Sequence, residues 1–188
     1  MPQPQPHHER LPRPPFTVNR GESLAANVET SCGSFTISLD TAQQPRTVNS
    51  FVYLARKGFY DGLPFHRVVP QFVIQGGDPL GNGTGGPGYE VVEPPPKDTV
   101  YRRGVVAMAK TAVQPPGASG SQFFVVTAAA DAGLPPVSAV LGRVTSGMEA
   151  VDRIAGLANA ALGPQGGEPR EPVVIDRITI ADPSSAPR

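Results

Sequence analysis

The sequence predicts a mainly β domain, with eight short strands in a closed antiparallel barrel capped by two α-helices. Three observations lead there. Short apolar or alternating runs recur between glycine- and proline-rich turns. Two stretches repeat apolar residues at helical spacing instead. Strands and helices do not alternate in the manner of a parallel sheet.

The elements follow in order. Residues 28–30 and 34–39 flank Cys32-Gly33 as a hairpin, with Phe35, Ile37 and Leu39 on one face. Pro45 opens a helix where its missing N–H does no harm. Val48, Phe51, Val52 and Ala55 recur along it and Gly58 closes it. This helix should cap the sheet, with Phe51 in the core. Residues 65–78 read as two short strands with a turn centred on Gln71, which sets Arg67 opposite Gln75 on one face. Residues 81–88 hold five glycines but lack a Lys-Ser/Thr ending and a strand–loop–helix setting, so they read as tight turns and not as a phosphate loop. Residues 105–109, 122–126 and 140–144 are further strands, and 147–156 a short helix with Met148, Val151 and Ile154 on one stripe. Residues 173–180 supply the last strand. The interior of such a barrel is filled by side chains, so a site must lie on its outer surface.

Composition narrows the function classes. At 188 residues one domain is expected, and 39% hydrophobic residues suffice to close its core. Sixteen basic and sixteen acidic residues give zero formal charge, with no basic stripe for nucleic acid. The lone Cys32 forms no intrachain disulfide and reads as packing. No apolar run is long enough for an integral membrane span. Residues 1–20 read as a proline-rich disordered tail or linker, 21–181 as the domain, and 182–188 as a frayed C-terminal tail. The start has no charged-then-apolar signal pattern, which favours the cytoplasm; as a linker left behind by a removed signal it would favour an extracytoplasmic location. Both localisations stay open, and a monomer is expected.

The chemistry sits in residues 65–78. Arg67 and Gln75 among Phe72, Val73 and other apolar residues make a greasy trough with a fixed fan of donors. It contains no nucleophile, no paired carboxylates and no metal ligands. The bland alternative is a buried strand whose arginine snorkels to water. His66 alternates to the opposite face and reads as a satisfied structural histidine.

The wording FHRVVPQFVIQGGD (65–78) resembles the signature of the cyclophilin family of peptidyl-prolyl cis-trans isomerases. So do GTGGPGY (83–89), VAMAK (106–110), GSQFF (120–124) and VLGRV (140–144), in the family's order and near its spacing. The resemblance runs from about residue 27 to 180. It implies the same capped barrel, a cofactor-independent isomerase without metal, and proline-containing polypeptides as partners. It implies that Arg67 is the catalytic donor and that Gln75 orients it. Phe72, Phe124 and Leu134 match the wall that receives the proline ring. Val73 stands where the family usually has methionine. Ala109 and Lys110 match the strand that pairs with the peptide, Lys110 replacing asparagine, and Gln122 falls in the supporting layer. Ser138 aligns with a histidine that commonly closes the pocket, and Gly133 with a rim tryptophan, so cyclosporin binding is expected to be weak. Residues 128–136 read as one residue longer than the family pattern. The alternative function is a peptide-binding or chaperone module on the same scaffold, which would be free to lose the arginine. A proline-rich adaptor acting through residues 1–15 is a weaker third reading, since no repeated PxxP phrase occurs.

Overall fold

The computed structural model describes residues 3–182. β1 (Ala25–Thr30) and β2 (Gly33–Leu39) form the expected hairpin and turn Ala26, Val28, Phe35, Ile37 and Leu39 into the core. Thr30 locks its turn: Oγ1 accepts from Cys32 N at 3.1 Å and donates to Gly33 O at 2.6 Å. α1 (Pro45–Arg56) follows, with Pro45 in its first turn. Two of its unpaired N–H groups, on Arg46 and Thr47, donate to the Glu93 carboxylate at 3.2 and 2.8 Å, a cap supplied from far along the chain. Then come β3 (Arg67–Val69), β4 (Val73–Gly76), β5 (Val91–Val92), β6 (Val105–Met108), β7 (Ala118–Ser119), β8 (Phe123–Val126), β9 (Val140–Ser146), α2 (Met148–Ala155) and β10 (Ile175–Ala181).

Eight strands form one sheet in the order β10-β1-β2-β9-β6-β8-β4-β3, each neighbouring pair antiparallel. β5 and β7 pair apart as a two-stranded ribbon, too short to show in the sequence pattern. The sheet curls until its edges approach, but its closure is only approximate, because β3 and β10 share no ladder. Residues 62–65 span the gap through Gly62 N to Ile175 O, Ile175 N to Leu63 O and Phe65 N to Val173 O, at 2.8, 2.8 and 2.9 Å.

Alternation along the strands divides the apolar residues in two. Val68, Ile74, Val106, Met108, Phe123 and Val125 face the main core, where Phe51 of α1 also lies. Their neighbours Val69, Val73, Val105, Ala107, Phe124 and Val126 face outward into a second, smaller cluster. That outer face carries Arg67 and Gln75. No helix among the described residues is long and apolar enough to cross a membrane.

The N-terminal segment differs from a free linker. It has no regular structure until β1, as its prolines dictate, yet it lies along the domain. Gln5 N, His7 N and Leu11 N donate to the carbonyls of Gly62, Pro79 and Pro87 at 2.8–2.9 Å. His7 sets its ring edge-on to Phe59, with centroids 5.0 Å apart. Asn49 on α1 binds the segment's end: Oδ1 accepts from Thr17 N and Val18 N at 2.7 and 3.1 Å, and Nδ2 donates to Pro15 O at 3.0 Å. Val18 joins the main core at 3% exposure. Of the expected C-terminal tail, all but Asp182 lies outside the described residues.

His66 corrects an expectation. It is buried, at 8% exposure and on the face opposite Arg67's trough, but neither ring nitrogen has a hydrogen-bond partner among the described residues. It lines a cavity of about 250 Å³ with Pro4, Pro6, Pro64 and Leu80, walls that are mostly apolar, and Glu168 on the same cavity makes no hydrogen bond to it. Burial lowers its pKa, against an upward pull from Asp78 and Glu168 and with a downward push from Arg67. The unfolded chain, at about 6.5, therefore binds this proton more tightly. Its contribution to stability is present above that pH and is lost as the pH falls through the folded value. Unfolding free energies measured from about pH 7.5 to 5 should fall on acidification, and fall less in His66→Phe. Equal slopes in the two proteins would rule out this histidine as the source.

Candidate active site

The β3–β4 hairpin positions the central pair. Gln71 takes φ 53°, which lets the chain reverse, and the register pairs Arg67 with Gln75, Val68 with Ile74 and Val69 with Val73. Arg67 and Gln75 thus emerge side by side on the outer face, as the sequence pattern requires. Arg67 Nη1 donates to Gln75 Oε1 at 3.3 Å. Gln75 Nε2 donates to Gln122 Oε1 at 3.0 Å. Gln122 Nε2 donates to the carbonyls of Gly85 and Gly83 at 2.9 and 3.1 Å. The glycine-rich loop therefore serves as a terminus of acceptors, and it orients two amides in succession.

The other side of the guanidinium is held by a residue that the sequence pattern does not single out. Arg67 Nε and Nη2 both donate to the backbone carbonyl of Gln165, at 3.2 and 3.1 Å. The loop bearing Gln165 docks on β3: Val68 N donates to Gly167 O at 2.8 Å. Gly166, at φ 63°, makes this possible, since a Cβ there would lie 2.3 Å from Val68 O. Gln-Gly-Gly after a proline was the only signal available, and it marks a turn without saying where the turn docks. An arginine has five N–H donors. Three are engaged here, so two remain for the trough, one on each terminal nitrogen.

The apolar wall stands beside this clamp. Phe124 (7% exposed) and Val73 are buried in the outer cluster, with Phe72, Ala109 and Leu134 packed on it half-buried. Tyr101, absent from the sequence-based set, backs the wall: its ring centroid lies 6.4 Å from that of Phe124. Its hydroxyl donates to Ser138 O at 2.6 Å and accepts from Ser138 N at 3.0 Å, so it ties down the loop that carries Leu134. Ser138 thus meets the site through its backbone. Ala109 N already donates to Gln122 O at 2.9 Å. The backbone groups left for a peptide on this edge are the Ala109 carbonyl and the Lys110 N–H, while Lys110 Nζ turns to Thr111 O. Gly133 is exposed at φ 67°, with open space around it. Among the described residues no cluster of His, Cys, Asp and Glu could hold a metal.

The arrangement can seat a small apolar ring and present fixed N–H donors beside it. Comparison with known proteins supplies the family. Residues 25–180 match the family model of the cyclophilin type peptidyl-prolyl cis-trans isomerases. A probable peptidyl-prolyl cis-trans isomerase B of Mycobacterium tuberculosis is 34% identical over 187 residues; the match covers 91% of this chain and 59% of that protein's length. A peptidyl-prolyl cis-trans isomerase B of Streptomyces anulatus is 37% identical over 177 residues, covering 85% of this chain and 97% of the relative. The crystal structure of a Cryptosporidium parvum cyclophilin type peptidyl-prolyl cis-trans isomerase superposes with a TM-score of 0.72 at 27% identity, covering 85% of this chain and 98% of that one. The same Cryptosporidium protein has been crystallised in the presence of the dipeptide Ala-Pro. With its family model covering all but the last residue of the curled sheet and its relatives matching beyond it, the chain belongs to the cyclophilin-type peptidyl-prolyl cis-trans isomerase family.

Proposed function

We propose that this chain accelerates cis–trans isomerisation of Xaa–Pro bonds in proline-containing polypeptides, with Arg67 donating to the twisted imide nitrogen. The observation that carries this reading is the doubly clamped guanidinium, with two unused N–H groups beside the wall of Phe72, Phe124 and Leu134. Rotation about a peptide C–N bond faces a barrier of about 18–20 kcal/mol, because resonance is lost on twisting. For Xaa–Pro the uncatalysed exchange takes tens to hundreds of seconds, roughly. In the twisted state the nitrogen becomes pyramidal and gains a lone pair. A donor aimed at it binds that state and neither planar form, which is the differential binding catalysis needs. Each ~1.4 kcal/mol of such selectivity is tenfold in rate. The apolar wall holds the ring, Gln75 sets the guanidinium plane, and the free backbone groups at Ala109 and Lys110 line the peptide up.

In a protease-coupled isomerisation assay on a short Xaa–Pro peptide, Arg67→Ala should lower kcat/KM tenfold or more, at least ~1.4 kcal/mol. Arg67→Lys should also be impaired, since a point charge on a flexible stem cannot keep both clamps and still donate. Near-normal turnover by a folded Arg67→Ala protein would sink the mechanism. Gly166→Val should push the Gln165 carbonyl off the guanidinium and lower kcat more than it raises KM. An unchanged kcat in a folded variant would show that this clamp is dispensable. Cyclosporin should inhibit weakly, as Gly133 offers no indole. Gly133→Trp should tighten inhibition despite about 1–2 kcal/mol of left-handed backbone strain, and no tightening would count against placing residue 133 at the drug's rim.

A further inference from the structure

We infer that Arg10, carried by the N-terminal segment, is a specificity residue that selects an acidic side chain in the polypeptide close to the isomerising bond. This rests on the isomerase reading above and extends it to a second cavity. That cavity, of about 610 Å³, opens beside the trough and shares Gln75, Ala109, Lys110 and Gln122 with it. A chain lying in the trough therefore passes its mouth. Arg10 lines it too, from the segment that lies on Gly88.

The position of Arg10 is built, not accidental. Leu11 N donates to Pro87 O at 2.9 Å, which fixes the register of the segment against the glycine-rich loop. The arginine stem then lies flat on Gly88, where an added Cβ would come within 3.2 Å of Arg10 Cβ and Cγ. Gly88 sits at φ 92°, a conformation that already favours glycine. Upstream, His7 and Gln5 hold the segment on the domain, and downstream Asn49 does so. The stem is thus ordered while the guanidinium stays exposed and has no hydrogen-bond or ion-pair partner among the described residues.

The charge around the cavity favours an anion. Its charged lining residues are Arg10, Lys110 and Glu90. Glu90 is engaged, its Oε1 accepting from Gln114 Nε2. Lys110 Nζ donates only to Thr111 O, a neutral carbonyl. Two cations without carboxylate partners face one carboxylate that is already solvated by an amide. A planar guanidinium suits a carboxylate with two parallel N–H bonds. An incoming lysine would meet Arg10 and Lys110 and be repelled. Arg10 also lies outside residues 25–180, the part matched by the family model, so its share of the preference comes from the N-terminal segment, while Lys110 supplies a smaller share from the trough itself.

The test uses the full chain and matched peptides with one Xaa–Pro bond, in which Glu or Lys is walked through the positions on either side of the proline. Turnover and binding are measured in parallel for the wild type, Arg10→Gln and Arg10→Glu. At one position the wild type should favour Glu over Lys by about three- to tenfold in kcat/KM and in Kd at low salt. The ratio should collapse in Arg10→Gln, invert in Arg10→Glu and shrink with salt. A role confined to packing against Gly88 would lower turnover of both peptide sets alike and leave the ratio where it was, and that result overturns the proposal. So does a wild type with no Glu preference at any position. Absence of turnover with a charge-dependent Kd would refute the isomerase reading while leaving the role of Arg10 standing.

Discussion

Backbone carbonyls can only accept hydrogen bonds and a guanidinium can only donate them, and these two one-way groups set the polarity of everything between them. The chain of contacts begins at the carbonyls of Gly83 and Gly85 and ends at Arg67. Gln122 must present its amide nitrogen to the carbonyls, so its oxygen faces Gln75. Gln75 must then present nitrogen to Gln122 and oxygen to Arg67. Read from the arginine end, the same orientations follow. An amide flipped anywhere along this chain would set donor against donor, so the fork is held in one orientation without any charged partner. A carboxylate in place of Gln75 would neutralise the guanidinium. An amide leaves it uncompensated, which the proposed donation to a twisted imide requires.

That chain needs a rigid support, which comes from strands buried on both faces. All four residues of β8 are buried: Phe123 and Val125 in the main core, Phe124 and Val126 in the outer cluster. β6 is buried throughout as well. The outer cluster would be costly as an exposed apolar face, but Tyr101, Phe72 and Leu134 cover it and leave a trough where cover runs out. The site is therefore the unfinished edge of a second core, which is why it is both apolar and stiff. His66 and Arg67, adjacent in sequence, fall on opposite sides of the same strand, so the orphaned imidazole and the donor fork belong to different environments.

Much of this was legible in the sequence because it rests on local periodicity. The pairing of Arg67 with Gln75 follows from counting outward from Gln71, and α1 follows from Pro45 and the spacing of Val48, Phe51, Val52 and Ala55. The outer-face location follows from the size of the barrel. What was not legible depends on long-range approach. The Gln165 carbonyl reaches Arg67 across ninety-eight positions of sequence, and only the fold shows that Gly166 is a docking point. β5 and β7 have two residues each, which no period can reveal. The closed barrel is a curled sheet with approximate closure, because the ladder between β3 and β10 is replaced by bonds from residues 62–65. The partnerless state of His66 also depends on which walls surround it, since its neighbours in sequence say only that it alternates inward.

The N-terminal segment shows why proline-rich composition is a poor guide to whether a segment docks. Composition argues that such a stretch cannot form a core of its own, and residues 3–18 indeed form no helix or strand. But prolines also narrow the unfolded ensemble, so ordering the segment costs less entropy than for an ordinary chain. Each proline also removes an N–H that would otherwise need a partner. Three of the remaining N–H groups, on Gln5, His7 and Leu11, reach domain carbonyls, and Asn49 meets two more, on Thr17 and Val18. The segment is thus attached at intervals by its non-proline residues and carried between them by a stiff backbone. A stiff strap of this kind holds a side chain over a cavity without covering the cavity, as Arg10 is held beside the trough.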